Sequence, residues 1–393
     1  MPAAPRDSAP GRWTGPLGAG LAMAGVLVLI LAITNWVGRS PGWAYDFHAY
    51  YDAALRLVAT GTPYQTETLA GPFRPGPFGL YLYSPLLALL FAPLTALGEG
   101  TAILLWLAVR VGIVGLTCAA LPIARPLRLA AFGVAALSAP VLFDLDLGNV
   151  SLIVTFVAVL TWRWLDQPAG AIALAASLTV RPTMALICAW WLLRGLWRPV
   201  AWTVAAFGVL VLATLPFVGP ARWLEYVTVL RNVINVSGVI SNVDLSSAVL
   251  MVGGSSSVAQ AALFAGYAVA ITAMLLSLRR DRELSYVVTL MATLLLSPLL
   301  WDHYLTNLLV PAAFLAGRGR TWALGLPLMC WLPTLLVALN PALKGSADAV
   351  LPLIAVVGLV LPFLAPDRGQ PAGLFVDRLR ERGRRDTSQP VRA

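Results

Sequence analysis

The sequence predicts an all-α polytopic membrane protein with about twelve transmembrane helices, and three observations carry that expectation. Of its 393 residues 59% are hydrophobic and only 11% charged, too little charge to cover a soluble chain of this length. Apolar runs of membrane-spanning length recur along nearly the whole chain, which makes lipid its solvent. The basic residues gather in short loops and at the ends, as membrane topology requires. The same distribution excludes nucleic acid as a partner despite a net charge of +9, because no basic face is formed.

The first apolar run, Leu17 to Val37, is too long for a cleavable signal and has no fitting small-residue cleavage site, so it reads as a retained first helix. Further crossings are expected near 101–122, 127–143, 149–164, 170–180, 183–194, 200–218, 257–278, 284–300, 303–316, 321–339 and 349–365. Several are shorter than the ~20 residues a crossing needs and require shielding by their neighbours. The stretch 85–97 begins at Pro85 and contains Pro93. If it does not cross, nineteen of the 27 basic residues fall on one side, so it reads as re-entrant or interfacial, with both termini in the cytoplasm. The chain then divides into a cytoplasmic N-terminal segment (1–16), a transmembrane domain (17–365) and a basic, disordered cytoplasmic tail (366–393). The three cysteines, Cys118, Cys188 and Cys330, lie inside apolar runs and match no metal site or disulfide framework.

This topology puts both histidines and ten of the eighteen carboxylates on the outer side, chiefly in a first loop (38–100), a polar segment (219–256) and short turns. Five clusters there bear chemistry. Asp46 opens a helix running from Phe47 to Ala59 and ending at Gly61; it reads as an N-cap or as an acid at the mouth of the helical bundle. Tyr81, Tyr83, Ser84 and Pro85 suit an aromatic belt at the interface. Asp144 and Asp146, followed by Gly148 and Asn149, form a turn that either binds a cation or is merely solvated, with Gly148 ending one helix and Asn149 capping the next. Arg181 precedes Pro182 at a helix break, where an arginine at depth snorkels or meets an anion; Arg110, inside the second crossing, raises the same question. Asp302, His303 and Tyr304 adjoin at the outer end of two crossings beside Trp301, where a histidine oriented by an aspartate can donate to a phosphate. No phosphate-binding loop, dinucleotide fingerprint, zinc-protease helix or nucleophile elbow is present.

Together these segments resemble a known family. Asp46-Phe47-His48-Ala49-Tyr50-Tyr51-Asp52, then Gly61-Thr62-Pro63-Tyr64, Tyr81-Leu82-Tyr83-Ser84-Pro85, Leu147-Gly148-Asn149-Val150-Ser151, Thr179-Val180-Arg181-Pro182 and Ser297 to Tyr304 are similar, in order, to the glycosyltransferases of family 87. These are membrane-embedded enzymes of the C superfamily fold that use polyprenol-phosphate mannose. The chain departs from the family pattern at Ser84, Arg181 and Tyr304, where proline, lysine and a second histidine are more usual.

The resemblance implies interfacial helices in the first outer loop and an inverting transfer of mannose from a polyprenyl phosphate to a glycolipid or lipoglycan acceptor, outside a cell membrane. It implies Asp46 as general base. His303 and Arg181 would hold the donor phosphate, supported by His48, Tyr50, Tyr83, Asn149 and Asp302, with no metal or other cofactor. The donor variant is a lipid-linked arabinofuranose. The rival class is a lipid or sugar transporter, in which polar groups would sit near mid-membrane on repeated, broken helices; in an enzyme, Asp46, His303 and Arg181 would converge on one outer cavity.

Overall fold

The computed structural model of the chain describes residues 14–38, 43–71, 80–234 and 242–365, and these are helical throughout, without a strand among them. The expected tail 366–393 and most of segment 1–16 lie outside the described residues. Six helical spans are long and apolar enough to cross a membrane: Gly15–Gly38, Glu99–Ala120, Trp197–Val233, Ser256–Ser277, Thr321–Leu339 and Ala347–Leu364. They coincide with six of the twelve expected crossings. A seventh candidate, Arg125–Leu137 with Ala139–Leu147, is bent by 60°, where Ser138 takes an extended conformation and Pro140 follows. These helices turn large apolar side chains outward, such as Met23, Leu27, Val204, Leu212 and Phe217. In water such a surface would aggregate; in lipid it costs nothing, and the protein is membrane-embedded.

The other expected crossings correspond to shorter helices, Ser151–Arg163, Pro168–Leu178, Leu186–Leu193, Arg282–Leu295 and Leu309–Gly317. Those at the centre of the bundle can be short because they are interior. From Leu284 to Leu295 every side chain is buried, so neighbouring helices, not lipid, surround this central rod. Pro85–Phe91 and the 3₁₀ turn Ala92–Leu97 together reach about 20 Å, well under the ~30 Å of a hydrocarbon core.

Small residues set the closest helix approach. Gly133 lies so near the first helix that a Cβ there would meet the Leu21 carbonyl at 2.4 Å, the backbone-to-backbone contact that membrane helices use in place of a hydrophobic drive.

The polar segment 219–256 differs from its expected loop. The helix Trp197–Ile234 continues through Gly219, where φ is 69° and the axis kinks ahead of Pro220. Its limb beyond the kink is tied to the segment 43–71: Thr62 Oγ1 donates to Glu225 (2.9 Å), and Asn232 Nδ2 donates to the Thr68 and Leu69 carbonyls. Leucines and valines gave this limb helical content; the polar residues around it are the ones that grip the loop.

Two apolar cores result. The larger fills the bundle around Arg282–Leu295 and Leu309–Gly317. The smaller is aromatic and gathers around the helix Tyr45–Thr60, where Phe47, Tyr50, Tyr64, Tyr81, Tyr83, Phe91 and Trp106 are buried together. Phe91 and Trp106 meet edge-on at 4.8 Å and Tyr50 and Tyr83 at 5.1 Å, separations at which aromatic pairs gain beyond simple burial.

Candidate active site

Helix Tyr45–Thr60 starts earlier than expected. Its cap is Ala44, held left-handed at φ 61° with its N–H donating to the Asp146 carbonyl at 2.7 Å. Asp46 is therefore inside the first turn and is not the N-cap. Its carboxylate, released from capping, accepts from Asn149 Nδ2 at 2.7 Å. The same amide lies 3.4 Å from the Tyr83 hydroxyl, which in turn accepts from Tyr50 at 3.1 Å.

Asn149 is aimed by its other atom. Its Oδ1 accepts from the Ser151 backbone N–H (2.9 Å) and hydroxyl (2.8 Å), which leaves the amide nitrogen no choice but to face Asp46. Ser151 Oγ also accepts from Arg181 Nη2 at 2.8 Å. A polar chain thus runs from Arg181 through Ser151 and Asn149 to Asp46. Gly148, at φ 80°, lets this loop pass over the helix: a Cβ there would meet Phe47 Cβ at 2.7 Å. The Trp106 indole closes the turn by donating to the Gly148 carbonyl (2.8 Å).

Asp144 and Asp146 are not in a solvated turn, because the helix Ala139–Leu147 extends through both. Asp144 is fully buried and pairs with Arg110, itself 1% exposed, at 3.5 Å. Arg110 also donates to the carbonyls of Asp144 and Leu145. Those carbonyls end the helix, so the guanidinium pins the strip of chain that carries Gly148 and Asn149. The Leu152 N–H donates to the second Asp144 oxygen (3.3 Å). Arg110 has an internal partner and does not snorkel.

On the far side, Arg181 is buried and stacks over the Tyr304 ring with Cζ 3.6 Å from its centroid. It stands in the extended residue between Pro168–Leu178 and the 3₁₀ turn Pro182–Ala185, since the residue before a proline avoids the helical region. The His303 ring packs on Tyr304 and Trp301, with Nδ1 3.2 Å from Asp302 Oδ1. His303 and Asp302 both act electrostatically on Asp46. Burial raises the Asp46 carboxyl above the ordinary aspartate range and the Asp302 charge adds to this; His303, the Asn149 hydrogen bond and Arg110 pull it back.

Asp46, Asn149, Tyr50, Tyr83, Arg181, His303 and Asp302 thus stand in one polar assembly. His48 turns elsewhere: its Nδ1 is 2.6 Å from Glu99, which is about half exposed. Ser151, Tyr304 and the Arg110–Asp144 pair belong to the assembly without a site role assigned from the sequence; Tyr304, Arg110 and Asp144 stand in its chemistry-bearing clusters, and for Ser151 the only signal is membership in the motif that contains Asn149. Among the described residues, Arg181 Nη1, His303 Nε2, Tyr226 Oη and Ser84 Oγ are buried with no hydrogen-bond partner. These are groups able to bind an anion. No group of three or more His, Cys, Asp and Glu side chains close enough to hold a metal ion occurs among the described residues.

The model of glycosyltransferase family 87 matches residues 81–300. No curated protein and no solved structure matches the chain.

Proposed function

Because the chain belongs to glycosyltransferase family 87 and is therefore a membrane-embedded glycosyltransferase, we propose that it transfers mannose from a polyprenyl phosphate to a glycolipid or lipoglycan acceptor on the outer face of the cell membrane. The observation that carries this reading is the opposition, in one assembly, of a carboxylate to unspent cationic donors.

Asp46 accepts the acceptor hydroxyl's proton as that oxygen attacks the anomeric carbon from the face opposite the phosphate. Its raised affinity for a proton suits that task, and Asn149 keeps the lone pair aimed. The C–O bond to the phosphate breaks, and the phosphodiester becomes a phosphomonoester that gains negative charge. Arg181 and His303 stabilise that charge from fixed positions, so no protein reorganisation is needed as it develops. Asp302 accepts from His303 Nδ1–H, and with the ring doubly protonated Nε2–H donates to the donor phosphate. Tyr50 and Tyr83 hold Asn149 and wall the assembly from water.

The proposal carries the twelve-crossing topology with both termini inside, the short helices completing crossings inside the bundle. It disfavours a transporter, whose polar groups would lie near mid-membrane, because apart from Arg110, inside the span Glu99–Ala120, the assembly is built from the first outer loop and the ends of helices.

The test is transfer from radiolabelled polyprenyl phosphate mannose into endogenous lipid in membranes holding wild type or Asp46→Asn. Labelled product from wild type, cut about a hundredfold or more in the variant, supports the reading. Equal product from both removes Asp46 from the chemistry. Product from a polyprenyl phosphate pentose alone replaces mannose with arabinofuranose.

A further inference from the structure

A cavity of about 350 Å³ lies beside the assembly, between the bent helix pair and the C-terminal segment. Its floor is apolar, made by Pro140, Phe143, Val337 and Leu351; its polar groups are Asp302, Asp348, Thr334 and Lys344. Lys344 is the single lysine among 27 basic residues. The cavity is of small-ligand size, and it is joined to the proposed catalytic groups through one residue. Asp302 lines it and also holds His303, with Oδ1 accepting from the His303 backbone N–H at 2.7 Å and lying 3.2 Å from Nδ1.

The lining selects the ligand. Two carboxylates against one ammonium repel a phosphate, and neither Arg181 nor His303 opens into this space, so the donor's anionic end belongs elsewhere. Carboxylates are acceptors, and neighbouring hydroxyls are the donors that satisfy them best without bringing charge. An aromatic ring beneath, Phe143, offers a flat apolar surface to the C–H face of a sugar. The combination of hydroxyl-accepting rim and apolar floor fits a pyranose better than a lipid chain or an anion.

We propose that this cavity seats the terminal sugar of the acceptor, with Asp302 and Asp348 gripping its hydroxyls and Lys344 at the mouth, and so determines which acceptor is used. The proposal rests on the transferase reading above. Asp302 then serves two masters: it orients His303 toward the donor phosphate and registers the acceptor next to Asp46.

The test uses tritiated octyl α-D-mannopyranoside and the full chain in lipid nanodiscs, as wild type, Asp348→Asn, Thr334→Trp and Asp46→Asn. Asp348 is exposed, so its amide variant should fold, and Thr334→Trp blocks the cavity independently. Without donor, equilibrium binding should weaken about tenfold or more in the two cavity variants, while Asp46→Asn, which has lost the base but keeps the cavity, should still bind the glycoside. With polyprenyl phosphate mannose added, the KM for the octyl glycoside should rise in the cavity variants while that for the donor is unchanged. Undetectable binding by wild type, equal binding by all four proteins, or a rise in the donor KM alone overturns the proposal. Cavity-dependent binding by a wild type that transfers nothing upholds the cavity and sinks the transferase reading instead.

Discussion

The molecule has two concentrations of buried charge, and they are built on opposite plans. Around the loop Ser277–Arg282 the buried ionic groups are answered. Arg318 forks onto both oxygens of Asp281 at 3.0 Å and reaches Glu283 at 3.2 Å. Asp281 also caps the central helix by accepting from the Leu284 N–H at 3.0 Å. Arg194 donates to the Leu278 and Arg280 carbonyls, Arg280 to that of Ala365, and Arg282 meets Asp166. Around Asp46, by contrast, one nitrogen each of Arg110, Arg181 and His303 is buried without a hydrogen-bond partner among the described residues. A saturated network can only hold helices together. An unsaturated one pays a desolvation cost that the fold does not recover by itself, which is the signature expected where a ligand completes the bonding.

That contrast can be broken by mutation. The largest effect is expected from Asp46→Asn, a loss of about a hundredfold or more in transfer with unchanged thermal midpoint; a normal rate would place the chemistry elsewhere. Arg181→Ala should follow, costing on the order of a hundredfold in kcat per folded molecule, with some loss of stability as well, since Arg181 also holds Ser151 and the Tyr304 ring. Arg318→Ala should do the reverse. It takes the two-pronged guanidinium from the buried Asp281, at a cost of about 3–5 kcal/mol, read as a lowered unfolding midpoint in detergent, while turnover per folded molecule is kept. If Arg318→Ala abolished turnover without loss of stability, the division into a structural and a chemical network would fail.

Two smaller effects sharpen it. Activity should have an acidic limb above the ordinary aspartate value of about 3.9, because burial raises Asp46 and the base works only when ionised. Below that limb the carboxyl is protonated and transfer stops; above it the rate is full. Asn149→Ala removes a hydrogen bond that favours the ionised form, so the limb should move to higher pH, measured as kcat/KM against pH. Smallest of all is His48→Ala. Its partner Glu99 is exposed, and such pairs are worth about 0–1 kcal/mol, so transfer should change by less than about fivefold.

What the sequence made legible follows from where the physics is local. The long spans declare themselves because lipid tolerates little besides apolar residues over ~20 positions. Arg181-Pro182 declares a break because proline acts on its immediate neighbours. The short interior helices were harder: Arg282–Leu295 is judged against the span length of a lipid-facing helix although lipid does not surround it. The Gly219 kink was misread as a loop boundary, since a glycine and a proline in succession mark either. Asp46 was named from its motif, but its release from capping was not readable, because the cap is an alanine in a conformation that alanine seldom adopts. Its partner Asn149 lies 103 positions away, and nothing local signals such a meeting. Arg110 and Asp144 raised separate questions in the sequence, and only the fold shows that each answers the other.

The long separations have a consequence in time. Asp46 emerges early in synthesis, and its neighbours arrive in sequence: Asn149, Arg181, Glu225 to grip the loop, and last Asp302 and His303. At 5–20 residues per second the interval from Asp46 to His303 is roughly 10–50 s. During that wait the residues around Asp46 stand while most of their partners are still unmade. A chain halted before residue 300 would lack Asp302 and His303, so the assembly is complete only when the last third of the chain has been made.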